Sequence, residues 1–323
     1  MEIIKPTAKR IMLAYLAKPK YGGWATYTSH LYKGLQAAGF EPILVKQGNR
    51  TETKMREYGR KIRYQNISKH DLIKLCKQHS TLIVAVDKHY YETATDLIKA
   101  GASITIHDPT ELKEPIKTLV MAAKTIVIRE TMLNHLPHAT YIQHPYQVRQ
   151  LTANTNKKPA VALSRIDFDK HTDIIIEANT QLQTPIEIYG FMNTVYAHFK
   201  LNTIAPNWKD NYYGAFPAGD LWAATKIANN YERVIDMSII KKDGGGTQYT
   251  FLEAANANTH LILHEQWQPT GLLKQYAHTC HDAATLTSLC LEQLPDRTEQ
   301  AKALLAHHDA TTVANHYASA LNW

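Results

Sequence analysis

The sequence is poor in the features that mark secreted, zinc-stabilised or membrane-spanning proteins. Its 323 residues include only three cysteines, Cys76, Cys280 and Cys290, whose spacings match no zinc pattern and suit free thiols in a reducing compartment. No apolar run approaches the roughly 18 residues of a membrane span. Residues 1–10 are too charged for a signal peptide. We therefore expect a cytoplasmic protein without a stable membrane span.

Glycine and proline are also too few and too scattered for a fibrous or disordered chain. There are 14 glycines and 13 prolines, while 44% of the residues are apolar and 20% are charged. Such a composition is typical of a globular protein that buries a core. At roughly 100 to 200 residues per domain, the length fits two domains.

Positive charge is concentrated in the first half of the chain. Residues 1–158 contain 25 Lys and Arg against 12 Asp and Glu, a net charge of +13, and residues 159–323 contain 11 against 17, or −6; together they give the overall +7. This asymmetry indicates a polyanionic partner for the first half. The alternative is a set of lysines on solvated helix faces.

Apolar segments of strand length alternate with helical patterns in both halves. In the first half we predict strands at 10–17, 42–45, 81–86, 103–106 and 125–128, and helices at 25–38, 69–78, 92–100 and 117–123, with a basic long loop or mobile segment at 50–63. Beyond a polar linker at 151–159 we predict strands at 160–163, 186–189, 234–240 and 260–263, and helices at 172–180, 219–228 and 249–257.

This alternation predicts an α/β protein with two Rossmann-like, doubly wound domains. We place the first domain at residues 1–152 and the second at 158–308, with a C-terminal helix at about 309–323 that could pack back on the first domain. Ligands of such sheets bind beyond the carboxyl ends of the strands. The cleft between the two domains is therefore the expected active site.

A glycine-rich segment, KKDGGGTQYT at 241–250, joins a predicted strand to a predicted helix. Its candidate ligands for a phosphate are Gly244, Gly245, Gly246 and Thr247, since glycines allow close backbone approach and a helix start offers unpaired N–H groups. The segment matches neither a Walker loop nor the dinucleotide GxGxxG pattern. A flexible turn is the alternative.

Two cations share the short loop after the strand at 160–163. Arg165 and Lys170 could clamp a diphosphate, because a guanidinium forks onto two oxygens and an ammonium acts as a point charge. Asp167 and Asp169 lie between them, but the flanking cations oppose a metal ion there. His278 to His281 has metal-like spacing without a partner pair, so we assign it to the surface.

In the first half, His107 and Asp108 follow the strand at 103–106. They could orient a sugar or position an acceptor hydroxyl, whereas the alternative for Asp108 is a cap before a proline turn. Gly22 and Gly23, in the loop after the first strand, could admit a sugar or a phosphate close to the backbone.

Together these motifs resemble the two-domain, GT-B fold retaining glycosyltransferases of family 4. Arg165 and Lys170 have the R-x4-K spacing of that family's diphosphate clamp, LEAANAN at 252–258 is similar to its LEAxAxG segment, and the loop at Gly22 is similar to its first sugar-nucleotide loop. The resemblance implies that Glu253 binds the ribose hydroxyls. Gly245 stands where the family has the first glutamate of its Glu-x7-Glu motif, and Asn258 replaces a glycine.

Among relatives without that first glutamate, the DNA α-glucosyltransferases of T-even phages are the most similar. YTFLE at 249–253 resembles their Tyr-Thr-x-Leu-Glu, and Ile106, His107 and Asp108 resemble their His-Asp strand end. This resemblance implies that His107 and Asp108 lie at the reaction centre. It also implies that the first domain, which is the basic one here, binds the acceptor.

We therefore expect a retaining glycosyltransferase that moves a sugar, glucose in the phage enzymes, from a UDP-sugar to a 5-hydroxymethylpyrimidine in double-stranded DNA. The protein would be phage-encoded and act in the host cytoplasm. Asp108 would hold or accept the proton of the acceptor hydroxyl, and His107 would hold the sugar. No metal and no cofactor other than the donor is expected, because Arg165 and Lys170 supply the positive charge. The sequence carries no signal for an oligomeric state.

Acceptor DNA would be bound through phosphate contacts from cations of the basic half, namely Lys18, Lys20, Lys54, Arg56, Arg60, Lys61 and Arg63. Trp24, Tyr58 or Tyr64 could stack on an extruded base. Two alternatives remain open: a cell-envelope or lipid glycosyltransferase whose basic domain docks on anionic lipid, and a non-catalytic nucleic-acid-binding protein on the same scaffold.

Overall fold

The structure is a computed structural model that describes residues 9–17, 23–48, 54–58, 62–217, 220–239 and 246–323. The chain divides into two compact units. Unit 1 comprises the described residues of Met1–Gln147, Ala218–Leu221 and His308–Trp323, and unit 2 those of Val148–Pro217 and Trp222–His307. Each unit has its own sheet with helices packed against it.

Unit 1 is built on an eight-stranded sheet in the order β3-β4-β2-β1-β5-β6-β7-β8. Its strands are β1 Arg10–Leu16, β2 Glu41–Gln47, β3 Lys54–Tyr58, β4 Ile62–Ile67, β5 Ser80–Val86, β6 Ser103–Ile106, β7 Thr125–Val127 and β8 Thr140–Tyr141. All neighbours pair in parallel except β3 with β4. The chain changes direction along the sheet between β1 and β5.

Unit 2 is built on a five-stranded sheet, wholly parallel, in the order β10-β9-β11-β12-β13. Its strands are β9 Lys158–Leu163, β10 Glu187–Tyr189, β11 Tyr231–Asp236, β12 His260–His264 and β13 Ala277–Cys280. Here the chain changes direction between β9 and β11. In open α/β sheets such a switch point is where ligands bind.

The helices follow the strands as crossover connections or pack at the chain's end. They are α1 Gly23–Ala37, α2 Lys69–Cys76, α3 Tyr91–Lys99, α4 Ile116–Val120, α5 Thr172–Asn179, α6 Thr194–Tyr196, α7 Asn202–Ile204, α8 Ala223–Ala228, α9 Tyr249–Asn256, α10 Gly271–Tyr276, α11 Ala283–Leu291, α12 Thr298–His307 and α13 Ala310–Leu321. In the part of the chain that is described, no helix is long and apolar enough to cross a bilayer.

The core strands form because their apolar runs are buried on both faces, as parallel sheets require. Ile11 to Leu16 of β1 are each at most 2% exposed. The last helix, α13, packs on α1 in unit 1, where the Tyr27 and Tyr317 hydroxyls lie 2.5 Å apart. Gly34 permits this approach, since a Cβ there would lie 2.1 Å from the Ala310 carbonyl oxygen.

The prediction of a loop is wrong for residues 54–58, 62 and 63 of the basic segment, which lie on strands, and the rest of the segment lies outside the described residues. β3 and β4 pair in antiparallel fashion, and β3 is the outermost strand of the sheet. Edge strands carry charged residues readily, because one side of their ladder faces solvent. Tyr64 on β4 is only 8% exposed, so it is not available to stack on a base as predicted.

The assignment of His278 to His281 to the surface is also wrong in part. These residues fall largely on β13, where His278 is 8% and Cys280 2% exposed, while His281 beyond the strand is exposed. The sequence did not predict β13, which pairs with β12, because it contains polar residues. The α/β class and the two doubly wound sheets predicted from the sequence are confirmed.

Candidate active site

The loops that follow β9 and β11 meet at the switch point of unit 2. Arg165 and Lys170 come from the loop after β9, and Ser238 follows β11. The two loops are also joined through the backbone, where Ile239 N donates to the Asp169 carbonyl oxygen at 3.3 Å. We call the group of Arg165, Lys170, Asp236, Ser238 and Gln248 the β9–β11 site.

Lys170 is held firmly within the β9–β11 site. Its Nζ donates to Ser238 Oγ at 2.6 Å and to Gln248 Oε1 at 3.2 Å, and lies 4.0 Å from Asp236 Oδ1. The Lys170 side chain is 12% exposed and that of Asp236 is fully buried. These contacts fix the position of the Lys170 ammonium within the site.

Arg165 differs from Lys170 in both exposure and partners. Its side chain is 56% exposed, and its two terminal nitrogens donate to Asp167 Oδ2 and Asp169 Oδ2, each at 3.1 Å. The carboxylates between the two predicted clamp cations are therefore partners of Arg165. A guanidinium has five N–H donors, of which these two bonds use two, so Arg165 can engage a phosphate with the others.

The glycine-rich segment lies only partly within the described residues, since Gly244 and Gly245 fall outside them. The Gly246 carbonyl oxygen accepts from Trp267 Nε1 at 2.8 Å, and Thr247 follows it. Gln248 stands at the N-cap of α9, and its side chain contacts Lys170. The start of α9 is thereby joined to the β9–β11 site. The predicted ribose ligand, Glu253, is 7% exposed on the same helix.

A second group of polar residues follows β6 in unit 1. His107 Nε2 lies 2.8 Å from the Val84 carbonyl oxygen, and the ring packs edge-on against Tyr27 with centroids 4.6 Å apart. Since a carbonyl only accepts, Nε2 carries the proton. Burial, helped by the Arg129 cation, lowers the pKa of His107 to about 4. His107 is therefore a neutral imidazole near pH 7.

Asp108 adopts the capping role that the sequence left as an alternative. Its Oδ1 accepts from Thr110 N at 2.7 Å at the start of the short 3-10 helix Pro109–Glu111. The side chain is half-buried. Asp108 Oδ1 is thus used by the cap. A role for Oδ2 at a reaction centre stays a prediction.

Glu111 belongs to this group but was missed by sequence reasoning. Its Oε1 accepts from Trp24 Nε1 at 2.8 Å and its Oε2 from His107 N at 3.0 Å. Burial raises the pKa of Glu111 to about 8, although both hydrogen bonds and Arg129 act in the opposite direction. An acidic residue four positions after His107 was visible, but the sequence did not show that its side chain is half-buried. We call Trp24, His107, Asp108 and Glu111 the β6 site.

Three further histidines of unit 1 were also missed, because they are distant in sequence. His30, His144 and His308 are at most 6% exposed. His308 Nδ1 lies 2.7 Å from the His144 carbonyl oxygen, and His30 Nδ1 accepts from Gln147 N at 3.0 Å. Burial and neighbouring cationic groups hold the pKa of His144 well below its usual value.

The predicted DNA contacts fall largely where side chains are not described. Lys54 and Arg56 lie on β3 and Arg63 on β4. Lys18, Lys20, Gly22, Arg60 and Lys61 lie outside the described residues. Gly23 is the first residue of α1, and a Cβ added there would meet no atom of the described residues within 4 Å. No group of three or more His, Cys, Asp or Glu among the described residues is placed to hold a metal ion.

Comparison of the sequence with protein-family models and with curated proteins gives no match. Solved structures do match. An alpha-glucosyltransferase in complex with UDP and a 13-mer DNA containing a central A:G mismatch has a TM-score of 0.74 at 12% identity, over 98% of this chain and 100% of that one. Anabaena HepE in complex with UDP and glucose has a TM-score of 0.71 at 10% identity, over 97% and 99% of the two chains.

A third solved structure is a glycosyltransferase involved in avilamycin A biosynthesis. It has a TM-score of 0.66 at 12% identity, over 97% of both chains. All three similarities extend along nearly the whole chain, at sequence identities of 10–12%. The chain therefore has the GT-B fold of these glycosyltransferases, which confirms the fold predicted from its motifs.

Proposed function

We propose that this protein is a retaining, UDP-sugar-dependent glycosyltransferase that transfers glucose to the hydroxyl of a 5-hydroxymethylpyrimidine in double-stranded DNA. The observation that carries the proposal is the convergence of Lys170, Arg165 and the start of α9 at the switch point of unit 2. The chain's fold is that of glycosyltransferases solved with UDP, which supports a nucleotide-sugar donor.

Unit 2 supplies the charge that the leaving diphosphate requires. Lys170 and Arg165 neutralise the negative charge that develops as the sugar departs, which is the main electrostatic demand of this transition state. Backbone N–H groups of the glycine-rich segment at the start of α9 add further donors. Glu253 binds the ribose hydroxyls. Because two cations face the diphosphate, the reaction needs no metal ion.

Unit 1 supplies the groups that handle the acceptor and the sugar. The acceptor oxygen bonds to the anomeric carbon while the bond from that carbon to the diphosphate oxygen breaks. The acceptor proton passes to Asp108. His107, neutral and with Nε2–H committed to Val84, offers Nδ1 as an acceptor for a sugar hydroxyl.

The charge of +13 on residues 1–158 supports a DNA acceptor. Each phosphate neutralised by Lys or Arg adds about −0.9 to the slope of log Kobs against log salt. A variant with Lys54, Arg56 and Arg63 all changed to Gln should therefore reduce that slope by about 2 to 3. Fluorescence anisotropy with a labelled duplex between low and moderate salt measures it. An unchanged slope would remove these residues from the DNA interface.

The decisive test is mass spectrometry of nucleosides from duplex DNA incubated with the protein and a panel of UDP-sugars. We expect 5-hydroxymethylpyrimidines to gain one hexose with UDP-glucose, and unmodified DNA to gain none. Asp108→Asn is the matched inactive variant, since Asn still caps the 3-10 helix. Absence of turnover with every UDP-sugar would refute the enzyme and favour a non-catalytic DNA-binding protein. Transfer to lipid but not to DNA would favour the envelope enzyme.

A further inference from the structure

Asp236 is a carboxylate in an unusual place. It is the last residue of β11, in the middle of the parallel sheet, and its side chain is fully buried. Fully buried aspartates are rare unless they are paired, because burial removes the water that stabilises their charge. The cation nearest to Asp236 in the described structure is Lys170, at 4.0 Å.

Ser238 connects Asp236 to Lys170. Asp236 Oδ1 accepts from Ser238 N at 2.9 Å and also accepts the Ser238 hydroxyl proton. A hydroxyl has one proton and two lone pairs, so Ser238 Oγ presents a lone pair to the Lys170 ammonium, 2.6 Å away. The direction of these hydrogen bonds is thereby fixed: Lys170 donates to Ser238, and Ser238 donates to Asp236.

This arrangement leaves Lys170 prepared for a ligand. An ammonium has three N–H donors, of which one goes to Ser238 and one to Gln248. The third makes no other hydrogen bond to the described residues. A free lysine side chain loses considerable rotamer entropy when it is ordered, and here that ordering precedes binding.

We infer that Ser238, held by the buried carboxylate of Asp236, is a positioning residue that fixes the Lys170 ammonium for the diphosphate of a nucleotide donor. The inference rests on the proposed donor site and adds two residues that no motif of the chain identifies. Ser238 and Asp236 act through Lys170 rather than by touching the diphosphate.

A purely structural role for the same residues makes a different prediction. The bond from Ser238 N to Asp236 Oδ1 also forms a tight turn that ends β11. If Ser238 only formed the turn, its substitution would lower the stability of the protein and weaken the binding of every ligand of unit 2 equally. A positioning role instead weakens only ligands that carry the diphosphate.

The test is calorimetric titration of the full-length protein with UDP, uridine and inorganic pyrophosphate. We expect Ser238→Ala to weaken UDP and pyrophosphate about tenfold, the effect of losing one hydrogen bond to a charged group, and to leave uridine unchanged. Ser238→Thr retains the hydroxyl and should restore binding. In a Lys170→Met background, Ser238→Ala should have no further effect.

The inference is overturned if Ser238→Ala weakens the binding of uridine and UDP equally, or if it still weakens UDP binding in the Lys170→Met background.

If Ser238→Ala does not fold, as judged by thermal melting, Asp236→Asn replaces it, since the amide oxygen still accepts from Ser238 while the charge is lost. That variant should weaken UDP and pyrophosphate several-fold and spare uridine; equal loss of all three ligands contradicts the inference. Ser238-dependent binding of pyrophosphate without binding of UDP would refute the proposed donor but keep the positioning role. Binding of neither would refute both.

Discussion

The β9–β11 site and the β6 site both follow strands of parallel sheets, yet their ionisable side chains differ. Those of the first form ion pairs, and His107 and Glu111 of the second are shifted toward their neutral forms. In the β9–β11 site, Lys170 and Arg165 lie within 4.0 Å of carboxylates. In the β6 site, burial shifts ionisable groups toward their neutral forms: the pKa of His107 falls to about 4 and that of Glu111 rises to about 8.

This difference matches two kinds of chemistry. A departing diphosphate requires positive charge close by, which the cations Lys170 and Arg165 provide. A neutral imidazole and a high-pKa carboxyl are instead suited to hydrogen bonding and proton transfer. The proposed reaction therefore draws its charge from unit 2 and its hydrogen-bonding and proton-accepting groups from unit 1.

Removal of Lys170 should have the largest effect. We expect Lys170→Met to lower kcat/KM about a hundredfold or more, since one electrostatic contact to a transition state is typically worth roughly 10²–10³ in rate. Lys209→Met, at an exposed lysine of the same unit, is the matched control and should behave as wild type. Release of UDP from a UDP-sugar measures both. Activity within threefold of wild type would separate Lys170 from the chemistry.

The two clamp cations should differ in their effect on stability. Lys170→Met leaves the buried Asp236 without its cation, and should lower the free energy of unfolding by about 3 kcal/mol. Arg165→Met breaks exposed ion pairs and should cost less than about 1 kcal/mol. Urea unfolding at pH 7 measures both values. Equal losses would contradict the contrast between a buried and an exposed cation.

His107 should make the protein less stable in acid. The pKa of His107 is about 4 in the folded protein against an ordinary value of 6.5, so the unfolded chain takes up the proton first and stability falls as pH drops from about 6.5 to 4. The full shift corresponds to roughly 3 kcal/mol. His107→Gln should flatten this part of the stability curve, measured by urea unfolding at pH 7, 5.5 and 4. A wild-type and variant difference that is independent of pH would contradict the neutral, buried imidazole.

Glu111 should act in the opposite sense and more weakly, because its side chain is partly exposed. Its folded pKa of about 8 exceeds the ordinary value of 4.5, so its protonated form stabilises the fold at pH below 4.5 and this contribution is lost as pH rises from 4.5 toward 8. Between pH 5 and pH 9, the free energy of unfolding of Glu111→Gln should rise by roughly 2 kcal/mol relative to that of the wild type. The same unfolding series measures it. A constant difference across that range would show that Glu111 does not resist ionisation.

The features that could be predicted were those written in local sequence. Arg165 and Lys170 share one loop, and apolar runs such as the one in β1 show a buried parallel strand directly. Contacts between distant residues could not be predicted: Trp24 and Glu111 are 87 positions apart, and Lys170 and Ser238 are 68 apart. That residues 54–58 form a strand could not be predicted from their charges, because charged residues are common both in loops and on edge strands.

The division between the two sites is tested most directly by calorimetric titration of UDP into the wild type, Lys170→Met and Asp108→Asn. We predict that Lys170→Met loses UDP affinity at least about tenfold, while Asp108→Asn binds UDP as the wild type does but transfers no sugar. Loss of UDP binding in Asp108→Asn, with binding retained in Lys170→Met, would contradict the account.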